Sequence, residues 1–507
     1  MSRELIGVIF GVTSPFEFKF LVSDTYTKKG DYVKVMQDSD WVLAQIASIT
    51  ISNDSFSLDA TSQLASAKRL GNTGEKKIAK STVIGSKDNR GQLKIPKMPF
   101  SPGSRVYLAD SSLVRKTLGL ASGEAYIGLL EGTDVPVKID VNKLVQHHCS
   151  ILAKTGSGKS YTSGVIIEEL LGRGVPLLII DPHGEYSSLK QVNRNREDNL
   201  RMSKYGILPR SYDNCITYTP SNLSLNEVAD EVFRIDGVNP SAKMLAQLIP
   251  TLNNSQRDVL YRSIKKVAPQ KEFYTIADVI EEVGHDSSNS KWNVIDSLES
   301  LEATGVLSEC PTEIEELLCK DGASIIDMRG VDPELQDIIV SKLCYEIWEA
   351  RKIGKVPPGM IVIEEAHEFC PERGYKKTAS SGIIRTIASE GRKFGLGLMV
   401  ISQRPARVDK NVLSQCHTQI ILKITNANDL RALSKGLEGM NAELEEEIKR
   451  LSPGVALFVS DDIERPISVE VRPRKSSHGG ESIKIVEENQ KEDHKSLLAT
   501  IFRRSEG

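Results

Sequence analysis

Two hydrophobic patterns divide the chain. Up to about residue 120, apolar residues recur in short strand-like runs at 7–12, 16–22, 32–35 and 41–46. Turn formers separate them, such as Ser14-Pro15, Lys29-Gly30-Asp31 and Asp38-Ser39-Asp40. Short strands at this spacing predict a small β-barrel over residues 1–120. Residues 61–70 read as a short helix and 83–95 as a further hairpin. From 121 onward, buried-strand runs alternate with helical periods, which predicts a mostly parallel sheet. The strands fall at 149–152, 175–180, 323–327, 360–365, 395–402, 419–423 and 454–459. Helices are expected at 162–171 and at 332–351, the second with Pro333 in its first turn. Residues 191–315 are polar and helical in period, as at 225–229 and 256–266, and read as an all-α insertion. The fold class is therefore α/β, with a core over 121–190 and 316–471. The tail, 472–507, is polar and charged, with a short amphipathic stretch near 497–502. It reads as a strap onto a neighbour or as an unstructured end.

Composition narrows the class. A chain of 507 residues exceeds one hydrophobic core. Its 39% hydrophobic and 26% charged residues are those of a soluble globular protein. No apolar run approaches the roughly 20 residues of a membrane span, and the first residues lack a signal peptide's apolar core. Seven scattered cysteines without a C-x-x-C pair argue for reduced thiols in a cytoplasm and against a zinc site. A net charge of −3 excludes a wholly basic nucleic-acid binder but leaves room for a local basic channel.

The chemistry is concentrated after the strand at 149–152. There Ala153-Lys154-Thr155-Gly156-Ser157-Gly158-Lys159-Ser160-Tyr161 forms a phosphate-binding loop opening a helix. Lys159 would pair with the β- and γ-phosphates of ATP, and the Ser160 hydroxyl would ligate Mg²⁺. The loop pattern asks for Gly at its first position, where this chain has Ala153. The strand ending in Asp181 should bring that residue beside the nucleotide. The apolar run at 360–363 ends in Glu364-Glu365, the arrangement of a Walker B strand. Glu364 would hold Mg²⁺ through water, and Glu365 would orient the attacking water. Gln403, at the end of the next strand, is the candidate γ-phosphate sensor. Positive charge on the transferring phosphoryl group is expected from an arginine of a neighbouring subunit, with Arg392 first, Arg404 second and Arg407 third. Two basic stretches suit a polyanion: Arg373, Lys376 and Lys377 in one, Arg407 and Lys410 in the other. His147-His148 and His367 have no carboxylate or Cys at ligand spacing and read as structural. Cys370 and Cys416 read as buried small residues.

Assembled, the motifs resemble the HerA family of hexameric ATPases, motors related to the FtsK translocases. The resemblance covers most of the chain. It rests on Leu152 together with the loop to Ser160, and on Asp181-Pro182-His183-Gly184-Glu185-Tyr186. Val362-Ile363-Glu364-Glu365-Ala366-His367, Glu390-Gly391-Arg392-Lys393-Phe394-Gly395 and Ser402-Gln403-Arg404-Pro405 complete it. The N-terminal region looks like the family's HAS-barrel, with Gly30-Asp31-Tyr32-Val33 at its Gly-acid-aromatic-Val turn. The resemblance implies a RecA-like P-loop ATPase core interrupted by a helical bundle and assembled as a homo-hexamer. It implies an ATP-driven translocase and bipolar helicase on double-stranded DNA. The implied partners are the NurA nuclease in end resection for homologous recombination, and the Mre–Rad complex. It also favours Arg392 as the finger acting across subunits. The departure is Ala153. Two other readings stay open, a related ring ATPase for conjugative DNA or protein transfer and an ATP-binding scaffold for a nuclease.

Overall fold

The computed structural model describes residues 4–479 except 24–25, 54–74, 89, 121, 222, 225, 250 and 437–441. The helix expected at 61–70 and the amphipathic stretch near 497–502 lie outside the described residues. Among the described residues no helix is long and apolar enough to cross a membrane.

The N-terminal strands are β1 (Leu5–Phe10), β2 (Glu17–Val22), β3 (Tyr32–Gln37), β4 (Asp40–Asn53), β5 (Glu75–Lys87), β6 (Leu93–Lys94) and β7 (Arg105–Leu108). They pair in the order β2-β1-β7-β3-β4-β5-β6, and β2 also pairs with β5. That last pairing, from Glu17 opposite Thr82 to Leu21 opposite Ile78, closes six strands into a barrel. Alternation sets the interior: Phe18, Phe20 and Val22 of β2 point inward, and Glu17, Lys19 and Leu21 outward. Ile6, Ile9, Val33, Val35, Ala44, Ile46 and Val106 fill the rest.

The second part is built on β8 (Ala125–Leu130), β9 (Pro136–Ile139), β10 (Cys149–Leu152), β11 (Leu177–Asp181), β12 (Cys215–Thr219) and β13 (Glu231–Val232). A separate two-stranded pair, β14 (Ile235–Asp236) and β15 (Leu307–Ser308), follows. The main sheet resumes with β16 (Ala323–Asp327), β17 (Gly359–Ile363), β18 (Leu396–Ser402), β19 (Thr418–Ile421), β20 (Val455–Val459) and β21 (Ile467–Val471). The order is β13-β12-β16-β11-β17-β18-β10-β19-β20-β21-β8-β9. Neighbours from β13 to β19 are parallel, and those from β19 to β9 are antiparallel. The expected α/β class, with a P-loop core behind a small barrel, is borne out.

The central strands are apolar throughout because both faces are covered. In β17, Ile361 and Ile363 enter one core with the helices Pro333–Lys352 and Ser381–Phe394. Met360 and Val362 enter the opposite core with the helix Lys159–Leu171. Each such side chain contributes about 1.5–3 kcal/mol of burial, which holds the strand in one register. Asp332 caps the helix Pro333–Lys352, as the Pro333 signal predicted.

Between β14 and β15 along the chain come four helices, Ala242–Leu248, Asn254–Val267, Ile276–Gly284 and Lys291–Ala303. Asn253 with Gln256 and Thr275 with Asp278 form capping boxes at two of them. This region differs from the all-α expectation: besides β13, β14 and β15, two stretches depart from it. Cys215–Thr219 is a strand of the main sheet, paired with β16. Its Cys-Ile-Thr-Tyr-Thr sequence alternates buried and exposed positions only at the start, and its threonines mask its apolar character. Residues 226–229 form a turn, not a helix; Ala229 N–H donates to the Asn226 carbonyl at 3.1 Å.

The polar tail begins as a buried strap. Residues 472–479 cross the chain's own P-loop helix. Arg472 Nη1 and Nη2 lie 2.9 and 2.8 Å from Glu168 and Glu169, and its Nε donates to the Tyr126 carbonyl at 2.9 Å. Lys475 pairs with Glu169 at 2.9 Å, and Ser476 donates its N–H and hydroxyl to Glu168. Arg472, Arg474 and Ser476 are fully buried. Gly164 makes room: a Cβ there would stand 2.7 Å from the Arg474 guanidinium. These are buried charges, so removing one partner leaves the others uncompensated. Glu168→Ala is expected to destabilise the ATPase unit by about 3–5 kcal/mol, measured by urea unfolding. An unchanged midpoint would contradict a structural role for the network.

Candidate active site

The sheet order brings three chain segments together at one end. β10 feeds the phosphate loop, β17 carries the acids, and β18 lies between them. Two strand spacings separate β10 from β17, about 10 Å, a gap that side chains of Lys and Glu length can close. Gly156 and Gly158 adopt left-handed φ values of 76° and 93°, which a Cβ would disfavour. Gly158 caps the helix Lys159–Leu171, whose first N–H groups have no intrahelical partner and point out of its N-terminus. Ala153 is fully buried and does not belong to the residues with left-handed backbone, so an L-residue fits there. The N–H of Ala153 donates to the Ser402 carbonyl at 3.2 Å, joining the loop to β18.

Lys159 Nζ lies 2.6 Å from Glu364 Oε1 and also donates to Glu365 Oε1. Two consecutive residues face one ammonium because Glu365 takes a left-handed turn, φ 49° and ψ 45°. That conformation costs a non-glycine residue about 1–2 kcal/mol, and strain of this kind collects at functional sites. Gln403 Nε2 donates to Glu365 Oε1 at 3.0 Å, and its carbonyl oxygen accepts from the Thr155 hydroxyl. Gln403 therefore ties the phosphate loop to the acid.

The two acids differ in environment. Glu364 is fully buried, and burial raises its pKa against the opposing pull of Lys159 and Tyr186. Burial also acts to raise Glu365, but its hydrogen bond to His367 and the Lys159 charge outweigh that and hold it at about 2. A carboxylate this weakly basic orients and polarises water; it does not store a proton. Burial acts to lower Lys159, yet the two carboxylates raise it, so it stays charged. Glu364 Oε1 faces the Lys159 ammonium and Glu365 Oε2 the His367 imidazole, and each carboxylate oxygen keeps a second lone pair that a hydrated cation could use. With Ser160 half-buried beside them, the residues present fit a nucleotide's phosphates and a divalent ion.

Three supports were not evident from the motifs. Tyr186 OH donates to Glu364 Oε2 at 2.6 Å and lies 2.7 Å from Ser163 Oγ. His367 Nδ1 lies 3.1 Å from Glu365 Oε2 and 3.1 Å from Ser402 Oγ. Asp181 accepts the N–H groups of Gly184 and Tyr186, both at 2.9 Å, and so shapes the loop that delivers Tyr186. Asp181 stands opposite Asp327 on β16. Burial raises Asp181, the backbone N–H groups of Tyr186 and Glu185 oppose this, and nearby Asp327 and Glu364 add to it, giving about 7. The position of Asp181-Pro182-His183-Gly184-Glu185-Tyr186 at a strand's end was the available signal for this role.

Other expected residues fall elsewhere. The Tyr161 hydroxyl donates to Asp198 at 2.8 Å and accepts from Arg474 N, so its side chain serves the strap. Arg392 is exposed in the last turn of Ser381–Phe394, before β18 begins. It lies at the opposite end of that strand from Gln403, roughly 20 Å along the sheet. Arg404 is exposed and lines a small hollow with Tyr375, Arg407 and Asp429. The two basic stretches form one surface. Pro371 bridges Val408, Glu372 N–H donates to the Arg407 carbonyl at 2.7 Å, and the Arg407 guanidinium sits 5.6 Å from the Tyr375 ring centre. Arg373, Lys376, Lys377, Arg407 and Lys410 are all exposed there. Lys410 pairs with Glu372 at 3.5 Å and Lys376 with Glu368 at 4.0 Å. Cys370 and Cys416 are buried, and burial pushes the Cys370 thiol up to about 12, so neither is a nucleophile at neutral pH.

A phosphate loop, paired acids on the second strand away and a glutamine bonded to both between them define an ATP hydrolase of the P-loop class. Residues 125–347 match the family model described as Helicase HerA, central domain. A probable helicase of Methanocaldococcus jannaschii is 28% identical over 523 residues, covering 96% of this chain and 94% of the relative. The DNA double-strand break repair helicase HerA of Sulfurisphaera tokodaii is 27% identical over 522 residues, covering 97% and 99%. That of Pyrococcus furiosus is 27% identical over 576 residues, covering 96% of each chain. The resemblance to the HerA family read from the motifs is borne out along nearly the whole chain.

Asp181 generates a pH dependence. Its folded pKa, about 7, lies above that of an unfolded aspartate, so the folded form binds the proton more tightly. The resulting stability is full below the unfolded value and is lost as pH rises toward 7, by up to ~1.4 kcal/mol per pH unit. Asp181→Asn should flatten that decline between about pH 4 and 7, read as urea midpoints across pH. A decline identical to that of the unaltered protein would contradict the assignment.

Proposed function

We propose that the chain is an ATP-driven translocase and bipolar helicase on double-stranded DNA, working as a homo-hexamer in the processing of broken ends. The observation that carries this reading is the route from site to surface. The loop holding Arg373, Lys376 and Lys377 leaves the end of β17 a few residues after Glu365. The turn holding Arg404, Arg407 and Lys410 leaves the end of β18 directly after Gln403. The basic surface thus hangs from the two strands that sense the γ-phosphate, and a change at Glu365 or Gln403 has a short covalent path to it. Lys and Arg are what a phosphate backbone requires, and the Tyr375 ring supports the Arg407 guanidinium.

In this reading Lys159 and the loop N–H groups hold the phosphates of ATP, and Glu365 with Gln403 orients the attacking water. Mg²⁺, held by Ser160 and through water by Glu364, would neutralise charge on the β- and γ-oxygens. Arg392 is too far from its own Lys159 to act there, so it serves the site of the next subunit in the ring. The named relatives support a role in double-strand break repair, and the family resemblance adds the expectation of the NurA nuclease as cutting partner beside the Mre–Rad complex.

Two arms test this. Arg407→Ala should weaken duplex binding and reduce the slope of log K against log salt by about 1, with ATP hydrolysis in the absence of DNA retained. Arg392→Ala and Glu365→Gln subunits, each impaired alone, should regain hydrolysis when mixed, because an intact Glu365 site then meets a neighbour's intact Arg392. An unchanged salt slope would remove the basic surface from the DNA path, and no recovery on mixing would remove the shared site.

A further inference from the structure

At the end of the sheet opposite the nucleotide site, three side chains from three elements converge. His147 ends the helix Val141–Gln146, His417 precedes β19, and Asp461 follows β20. His417 Nδ1 lies 2.6 Å and His147 Nδ1 3.5 Å from the same Asp461 oxygen, Oδ2. The two rings stand 5.0 Å apart, and one ligand atom from each residue falls within 4.8 Å of the others. The spacing of these histidines in the sequence offered no partner; folding brings both a second histidine and a carboxylate to His147.

We infer that His147, His417 and Asp461 form a binding site for a transition-metal dication of the zinc type. The ligand set decides the class: two imidazoles and one carboxylate suit Zn²⁺, Co²⁺ or Ni²⁺ and not the all-oxygen preference of Mg²⁺ or Ca²⁺. Geometry agrees. Zn–N and Zn–O bonds of about 2.0–2.1 Å put tetrahedral ligands about 3.3 Å apart, between the two distances observed here. Rotation of the half-buried and exposed imidazoles supplies the remaining closure.

The backbone beneath the site is already fixed. His417 N–H donates to the His147 carbonyl at 3.0 Å, which locks the two histidines side by side. The Asp461 turn is held by Ile463 N–H to the Ser460 carbonyl at 3.0 Å and by Thr418 Oγ1 to Ser460 Oγ at 3.2 Å. Lys143 pairs with Asp462, which anchors the same turn to the histidine-bearing helix. The surrounding field favours a cation: Asp462, Asp140 and Asp461 all act on the Lys143 ammonium, so three carboxylates face one positive charge there. A metal here would clip the start of β10 and β19 to the β20–β21 turn, across the change from parallel to antiparallel strands. The remaining coordination positions face solvent.

The test uses the full chain, freed of metal with a chelator and without nucleotide. Zn²⁺ is titrated by calorimetry, and Co²⁺ by its visible spectrum. One equivalent should bind, and Co²⁺ should give the intense visible bands of a tetrahedral site. His147→Ala combined with His417→Ala should lose that equivalent, with ATP hydrolysis and the metal-free unfolding transition retained. Equal binding by the variant, weak multiple binding, or only the faint spectrum of octahedral Co²⁺ would overturn the inference.

Discussion

One ammonium, Lys159 Nζ, holds the site together. It sits between two buried carboxylates and draws both toward the ionised form against the effect of burial. The fold exists around that contact. β10 brings the lysine, β17 the acids, and the single strand between them adds Gln403 as a strut. The left-handed backbone at Glu365 is tolerated because Lys159, Gln403 and His367 all grip its carboxylate. The same ammonium is what the phosphates of ATP would compete for, so binding of substrate and release of the acids are one event.

A second charge cluster works on the other side of the same helix. Glu168 and Glu169 lie about two and a half to three turns beyond Lys159 and are held by Arg472 and Lys475 of the strap. Arg474 reaches Tyr161 through its N–H, and Tyr161 stands two residues after Lys159. The phosphate-binding helix is thus fixed by ion pairs along its back and by the Lys159 ion pairs at its tip. Such a helix can transmit a displacement at the phosphates to the strap as a rigid body.

Legibility followed the distance over which each signal is written. The phosphate loop, the paired acids and Gln403 were readable because each is a contiguous run with a strand before it. The closed barrel was readable from turn residues between short strands. Tyr186 and His367 were not assigned their partners, since Glu364 and Glu365 reach them only after β11 and β17 pair. The strap read as a polar tail because Arg472, Arg474 and Lys475 are charged, and only buried carboxylates opposite them make burial affordable. Cys215–Thr219 was read as part of a helical region because its threonines weaken the apolar count on which a strand is recognised. The basic residues at 373–377 and 404–410 were visible singly, but their union depends on the Pro371–Val408 bridge.

The central claim is that hydrolysis at Lys159 and Glu365 is coupled to a duplex lying on the basic surface. Steady-state ATP hydrolysis with and without linear duplex DNA, with Lys159→Ala as the blank, tests it most directly. The account predicts hydrolysis that rises with duplex and is absent from the blank under both conditions. Hydrolysis by the unaltered protein that is indifferent to duplex would contradict the coupling.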